Sequence, residues 1–426
     1  MASDTLQLIH ALLYGNGIRF GTLSGNSRFL ATLMGSHADH IPFMGPQIHD
    51  HAARVAGVPL KKYYWDPDLL VSTQLAIQRW YRFDTVTLTA DAYNYEVEAM
   101  GAKFIYSDNA MPTVDNSDPL IKQPSDLDRI PELDPSKGRI AMGVRMAVLT
   151  TQNAFSLIAG GFFCSPFSLL CQAMGYPAVI RAIRRDPAYA RALFEWAEDK
   201  AIMPYLRAQK AAGVKQAFGA DAWSCFPNLT PELFDEFVIP SVKRLDKKAK
   251  EDLKFKAFAG QAGLDYCEED PSKFDKEILF KCLDVVSQIF LLKSAMVIMG
   301  RTQDLDPHWL QEYAILHGKG GKKLPITSSF NGRFIRDSSP QEIIAKVREW
   351  VDVMGRDGRL TFFIGNVHAD TPPINVHTVV EATRILGTYP IPVDLEKVEV
   401  KAPQFQSFDE WLKGQPEEEV IRKARE

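Results

Sequence analysis

Eight short apolar runs, with helical stretches between them, constrain this 426-residue chain more than any other feature. They are Ile41–Met44, Val86–Ala90, Leu157–Phe163, Val214–Phe218, Phe255–Ala259, Val286–Leu292, Leu324–Ser329 and Leu360–Ile364. The runs are continuous rather than alternating in polarity, the pattern of parallel strands covered on both faces. Between them Asp68–Arg82, Pro187–Ala212, Pro231–Lys250, Pro271–Val286, Pro340–Met354 and Pro373–Leu386 read as helices. Several open with a cap residue beside a proline, as at Asp186-Pro187, Thr230-Pro231 and Ser339-Pro340, because proline lacks the N–H that a first turn leaves unpaired. After the last run, Asp370/Thr371 open a helix with Pro372 in its first turn. Eight strand–helix units predict an α/β fold, a closed (β/α)8 TIM barrel, with its chemistry at the carboxyl ends of the strands. An open doubly wound sheet shares the alternation, but this number of units favours closure.

The barrel is expected over residues 41–390, with a helical extension at 1–40 and a tail at 391–426 ending in a charged helix, all in one domain. Residues 102–131, rich in Asp, Pro and Ser, read as an excursion after the second unit. A hydrophobic content of 46% and a charged content of 24% are those of a soluble globular protein. The net charge of −4 gives no reason to expect a nucleic-acid or membrane surface. No charged residue stands between Arg145 and Arg181, yet Gln152, Asn153, Gly160, Gly161, Pro166, Gln172 and Pro177 interrupt that stretch. It reads as a buried strand and helix, not a membrane span. The opening MASDTLQLIH lacks the basic-then-apolar layout of a signal peptide. Five cysteines without a CxxC pair point to a reduced, cytoplasmic protein.

A barrel sends the residues after each run into one cavity. His49-Asp50-His51 follow the first run, and Asp91, Tyr93 and Asn94 the second. Asp221-Ala222-Trp223 follow the fourth, Gln261 the fifth, Phe330-Asn331 the seventh, and Asn366-Val367-His368 the eighth. Carboxylates, imidazoles and amides converging on an apolar cavity suit acid–base work or metal binding. Each has a plainer alternative. Asp91 would cap the next helix, Asp221 would accept nearby backbone donors, and His368 would satisfy loop carbonyls. His49 and His51 share a face only on extended backbone. Gly318–Lys323 resembles a phosphate loop but precedes a strand, and so reads as a solvated turn at the opposite end. Cys164 and Cys171 read as core.

The blocks Asn26-Ser-Arg-Phe-Leu, Asp39-His-Ile-Pro-Phe, Thr89-Ala-Asp91, Ala99-Met-Gly-Ala102, Pro166-Phe-Ser-Leu169, Gly219-Ala-Asp-Ala-Trp223, Pro231–Pro240 and Gly365–Val376 occur in this order. Together, from about Asn26 to Leu386, they resemble the uroporphyrinogen decarboxylase superfamily, which also contains corrinoid-dependent methyltransferases. The decarboxylases carry an arginine-rich segment after the first strand to grip substrate carboxylates. Here Met44–Arg54 keeps a single arginine, so the bidentate clamps for a polyanion are missing. The thiol-methylating relatives hold zinc through an H-x-C-G turn after the fifth strand. Here that turn is Ala257-Phe-Ala-Gly260, without the ligands. The resemblance therefore implies the demethylating branch, O-demethylation of a methoxylated aromatic with transfer of the methyl group to cobalamin. Asp306–Gln311 starts like a corrinoid-binding element but lacks its glycine, so the cobalamin would arrive on a separate corrinoid-binding protein. A second copy of the chain is a further expected partner. In this reading Asp91, Asp221 and His368 do the acid–base work. His49, Tyr93, Phe163, Trp223, Gln261, Phe330, Asn331 and Asn366 surround the substrate, the aromatic ones as flat walls. A thiol-directed methyltransferase, a decarboxylase of a smaller acid and a non-catalytic barrel are the alternatives. The sequence leaves metal ligands, donor and oligomeric state open.

Overall fold

The computed structural model describes residues 23–36, 38–89, 91, 94–153, 161–258, 262–264, 270–289, 296–298, 302–318 and 320–426. Two parallel arcs form its centre. In one, β3 (Gly161–Cys164), β4 (Gln216–Phe226) and β5 (Lys256–Phe258) pair in that order, with Phe162 opposite Phe218 and Ala217 opposite Ala257. The short β6 (Ala262–Leu264) pairs with the far half of β4. In the other, β7 (Met296–Ile298), β8 (Ile326–Phe330) and β9 (Leu360–Ile364) pair in order, with Ser328 opposite Phe362. Every residue of β8 and β9 is buried, as the continuous apolar runs require. The expected excursion carries a small antiparallel hairpin, β1 (Phe104–Ile105) with β2 (Thr113–Val114).

The first run extends the second arc by bridges rather than by a full ladder. Phe43 pairs in parallel with Phe362, and Gln47 with Asn366. Met44 N–H donates to Phe362 O at 2.7 Å, and Phe362 N–H to Pro42 O at 3.0 Å. Pro42 has no N–H to give, which limits the pairing on that side. On its other flank Asp84 N–H donates to Phe43 O at 2.9 Å, and the Asp84 carboxylate accepts Phe43 N–H at 2.7 Å. The first run thus lies between the last strand and the start of the second run. Among the described residues no ladder joins β3 to the second run, or β5 to β7.

The second run, read as a strand, has no ladder in its described part. Two glutamines of helix Pro67–Trp80 stand in for a neighbouring strand. Gln78 accepts Thr87 N–H at 2.9 Å and donates to Thr87 O at 2.6 Å. Gln74 does the same for Thr89, at 3.0 and 2.6 Å. A side-chain amide offers the donor and acceptor of a peptide, so the run stays extended with its backbone satisfied.

The sixth run is misplaced. Val286 closes helix Lys276–Ser287, and the strand follows at Met296–Ile298. Leu279, Cys282, Leu283 and Val286 are buried at helical spacing, and Asp275 caps the helix by accepting Glu277 N–H at 2.8 Å. Val286 therefore belongs to the helical stripe, while residues 290–292 lie outside the described part. The helix after the last run spans Pro373–Leu386 as read, but Asp370 and Thr371 do not open it and Pro372 stands before its first turn. Pro372 is its cap and Pro373 its first residue, while Thr371 N–H closes a turn to His368 O.

Other readings stand as made. Asp186, Thr230 and Ser339 cap their helices, Ser339 in a full capping box with Glu342. Cys164 and Cys171 are buried, and Gly320 and Gly321 turn with positive φ ahead of β8. Asp306 caps helix Pro307–Leu316. Helix Gly25–Leu33 is the described part of the N-terminal extension. The tail folds back through helices Phe408–Leu412 and Glu418–Arg425, held where Trp80 Nε1 donates to Gln406 O and Arg425 Nε to Ala56 O. Among the described residues no helix is long and apolar enough to cross a membrane.

Gln74→Met keeps the volume but strips Thr89 of both backbone partners. It should lower the unfolding free energy by about 3 kcal/mol, since each stranded buried group costs roughly 1–3 kcal/mol. Urea denaturation checks this, and an unchanged midpoint would show that the glutamine does not replace a strand.

Candidate active site

The end of the second run and the ends of β3 and β4 bring four ionisable side chains into one buried seam. Asp91 is 1% exposed. Its Oδ2 meets Arg139 Nη1 at 2.5 Å and accepts from Asn94 Nδ2 at 3.4 Å, while Oδ1 is buried without a hydrogen bond among the described residues. Arg139, just before helix Ile140–Asn153, also donates through Nε to Glu98 Oε2 at 2.8 Å. The guanidinium is enclosed by the rings of Tyr95, Trp65 and Tyr106, 5.1, 5.5 and 5.8 Å from their centroids. Burial pushes the Asp91 carboxyl up to about 6 even though Arg139 pulls it down.

Glu96, on the short helix Tyr95–Ala99, is fully buried. It accepts Cys164 N–H at 2.6 Å. Burial pushes it up to about 7, against that backbone donor and with a further push from Asp91. The neighbouring Cys164 thiol is driven well up by burial, with Glu96 and Asp221 adding to it. Asp221 closes the seam. Ser168 Oγ donates to its Oδ1 at 2.6 Å and Ser224 N–H at 3.3 Å, and burial pushes it up to about 6. All three carboxyls therefore titrate close to neutrality, where an acid can still give up a proton readily.

Local backbone sets these positions. Gly219 admits no side chain, because a Cβ there would stand 2.5 Å from the Phe163 ring and 2.7 Å from Ser165 Oγ. After Asp221 the register with β6 slips, and the strict in–out alternation of β4 breaks. Trp223 consequently stands outside the buried seam. It is 37% exposed and stacks on Tyr176 at 5.9 Å, while its N–H donates to Ser168 Oγ at 3.1 Å.

The remaining site expectations divide. Phe163 is buried against Gly219. Phe330 is buried too, packed on Phe362 and Phe334. Asn331 caps helix Gly332–Asp337 by accepting Arg333 N–H at 2.8 Å, and Asn366 is exposed. His49 and His51 stand on helix His49–Val55, so they do not share a face. His49 is 3.4 Å from both Thr89 Oγ1 and Gln47 Oε1, whereas His51 meets Tyr81 OH at 2.7 Å. Burial holds His51 down at about 4, so its imidazole is neutral. His368, half-buried, stands among Arg336, Asp370, Arg333 and Asp337 rather than with the two acids. Tyr93 and Gln261 lie outside the described residues. Sequence reasoning missed Glu96 and Arg139: a five-residue helix has no legible face, and nothing near Arg139 marks it as the cation that reaches Asp91. Ser168 was within reach, since it lies in the block Pro166-Phe-Ser-Leu169. No group of three or more His, Cys, Asp or Glu side chains fit to hold a metal ion is found among the described residues.

The family profile of uroporphyrinogen decarboxylase (URO-D) matches residues 24–386. The chain belongs to the URO-D family. No curated protein matches it in sequence. Among solved structures, a methyltransferase from Methanosarcina mazei is similar at 16% identity, covering 84% of this chain and 98% of that one with a TM-score of 0.62. At that identity the likeness is one of fold. A B12-independent methionine synthase from Shewanella sp. W3-18-1, in complex with selenomethionine, shares 12% identity with a TM-score of 0.41, over 76% of this chain and 86% of that one. Within this URO-D family chain, the one arginine of the Met44–Arg54 segment, Arg54, is exposed. Arg28 and Arg139 are buried but already paired, with Asp39 and Asp84 and with Asp91 and Glu98 respectively.

Asp221, held above its ordinary value, supports the fold fully at low pH, and that support is lost as pH rises through about 6. Between pH 4 and 7 the loss is on the order of 2 kcal/mol. Asp221→Asn, which cannot ionise, should therefore gain on the wild type as pH rises, read from melting temperatures across that range. Arg139→Met strands two carboxylates and should cost about 3–5 kcal/mol at pH 8. The cost should shrink towards pH 5 as Asp91 takes up a proton, and a pH-independent loss would contradict the pairing.

Proposed function

We propose that this chain moves a methyl group from a small methylated donor, a methoxylated aromatic, to the cobalamin of a separate corrinoid protein. The observation that carries the reading is Asp221: a buried carboxyl at about 6, held by Ser168 and joined through the Cys164 region to Asp91 and Glu96. In this reading the two arcs close into an eight-stranded barrel, with the first run as the seam, and the acids line its carboxyl end. Membership of the URO-D family supports this, as does the likeness of fold to a chain described as a methyltransferase. The exposed position of Arg54 and the internal pairing of Arg28 and Arg139 speak against a site that grips a polycarboxylate.

A corrinoid presented by another protein needs an open rim with apolar surface rather than an enclosing pocket, and exposed Trp223 stacked on Tyr176 supplies such a rim. When bound, the corrinoid supplies the nucleophile that accepts the methyl group. The chain's own residues do the rest. Breaking the methyl–oxygen bond leaves a phenolate, whose conjugate acid has a pKa near ~10 by analogy with tyrosine. A proton from Asp221 or Asp91 to that oxygen lowers the barrier as charge develops there, and burial keeps water from competing. The free thiols of Cys164 and Cys171 suit a reducing cytoplasm.

The test mixes the purified chain with cob(I)alamin and a panel of methoxyphenols, and follows loss of the cob(I) absorbance. Wild-type kcat/KM should fall as pH rises through about 6. Asp221→Asn and Asp91→Asn should each lose about 100-fold or more in kcat, with Asp221→Asn flattening the pH profile. Undiminished rates in both variants would remove the acids from the mechanism. Cobalamin-independent release of carbon dioxide from a carboxylated substrate would replace methyl transfer with decarboxylation.

A further inference from the structure

Helix Tyr176–Arg185 lies beside the strand ends that carry the acidic seam. Helix Pro166–Met174, which supplies Ser168 to Asp221, leads directly into it through Gly175. Its first residue, Tyr176, stacks on exposed Trp223 and donates through its hydroxyl to Asn228 O at 2.7 Å. The helix carries Arg181, Arg184 and Arg185 and no acid, in a chain of net charge −4. The three arginines are spaced i, i+3, i+4, so they share one face, and all three are exposed.

None of the three forms an ion pair among the described residues, whereas nearby surface arginines do: Arg191 pairs with Glu236 and Arg207 with Glu132. The one acid adjoining them in sequence, Asp186, is committed to capping the next helix through Tyr189 N–H. Arg184 and Arg185 sit in the last turn, where a cation favours the helix dipole, but Arg181 lies a turn earlier and gains little from it. Arg, Trp and Tyr are also the side chains that most often carry binding energy at protein interfaces.

We infer that the exposed arginine face of helix Tyr176–Arg185, with the Trp223–Tyr176 step beside it, docks an acidic face of the protein that delivers the corrinoid. The inference rests on the methyl-transfer reading for the identity of the partner. Three guanidinium groups without an ion pair among the described residues, on the helix that begins at the Trp223–Tyr176 step, would steer an anionic surface towards that step and set its orientation.

The experiment compares the full-length chain with R181E/R184E/R185E, using the cobalamin-loaded carrier protein of the same organism and, separately, free cob(I)alamin. Affinity for the carrier is measured by calorimetry at low salt and again at about 300 mM. Charge reversal should weaken carrier binding at low salt by about tenfold or more and flatten its salt dependence. Turnover with free cob(I)alamin should stay within about twofold, and R181K/R184K/R185K should recover most of the carrier affinity. Unchanged carrier affinity on charge reversal, equal losses with both acceptors, or wild-type binding to an oligonucleotide in place of the carrier would overturn the docking surface. A wild type that binds the carrier in this arginine-dependent way but transfers no methyl group would instead overturn the methyl-transfer reading and leave the surface standing.

Discussion

The short parallel contact between Phe43 and Phe362 governs the rest of the molecule. It seats the first run against the last strand, so residues 319 positions apart in sequence become neighbours across one seam. Asp84 secures the other flank with two hydrogen bonds to Phe43, and Arg28 holds Asp84 and Asp39 together. With the first run fixed between its neighbours, the chain after Gln47 and the chain after the second run must leave on the same side. That geometry brings Asp91, just past the second run, to the same region as β3 and β4.

The buried acids form a balance that depends on one guanidinium. Arg139 faces Asp91 and Glu98 together, so with both ionised the group carries a net negative charge out of water, a costly arrangement. Protonating Asp91 leaves a one-to-one pair of Arg139 with Glu98. Burial thus pushes Asp91 up to about 6 in spite of a salt bridge that would ordinarily lower it. Asp221 reaches a similar value by another route, with hydroxyl and backbone donors and no cation paired to it among the described residues. The two carboxyls are therefore poised alike but not equivalent: Asp91 trades its proton against an ion pair, Asp221 only against neutral hydrogen bonds.

Much of the frame was legible because periodicity reports burial directly. The runs that became β3, β4, β5, β8 and β9 and the caps at Asp186, Thr230 and Ser339 all follow from local pattern. Val286 failed because a buried helical stripe and a buried strand look alike over a few residues. The second run failed differently: its backbone is satisfied by Gln74 and Gln78, and no local pattern announces that an amide will serve as a strand. In the site, Asp91 and Asp221 could be named from their place after apolar runs. Arg139 could not, because it reaches Asp91 from 48 residues away, a contact decided by tertiary packing alone.

Trp223 shows how a single irregularity divides the labour of one strand. Both Asp221 and Trp223 were expected in the cavity because they follow the fourth run, and strict alternation would indeed send them to the same face. The slip in register between β4 and β6 after Asp221 leaves Ala222 and Trp223 exposed and turns Ser224 inward. Ser168 then bridges the two environments, donating to the Asp221 carboxyl while accepting the Trp223 N–H. Without the bulge, a tryptophan would crowd the acid and the rim beside Tyr176 would lose its aromatic step. With it, the buried carboxyl of Asp221 and the exposed indole of Trp223 stand two residues apart on one strand.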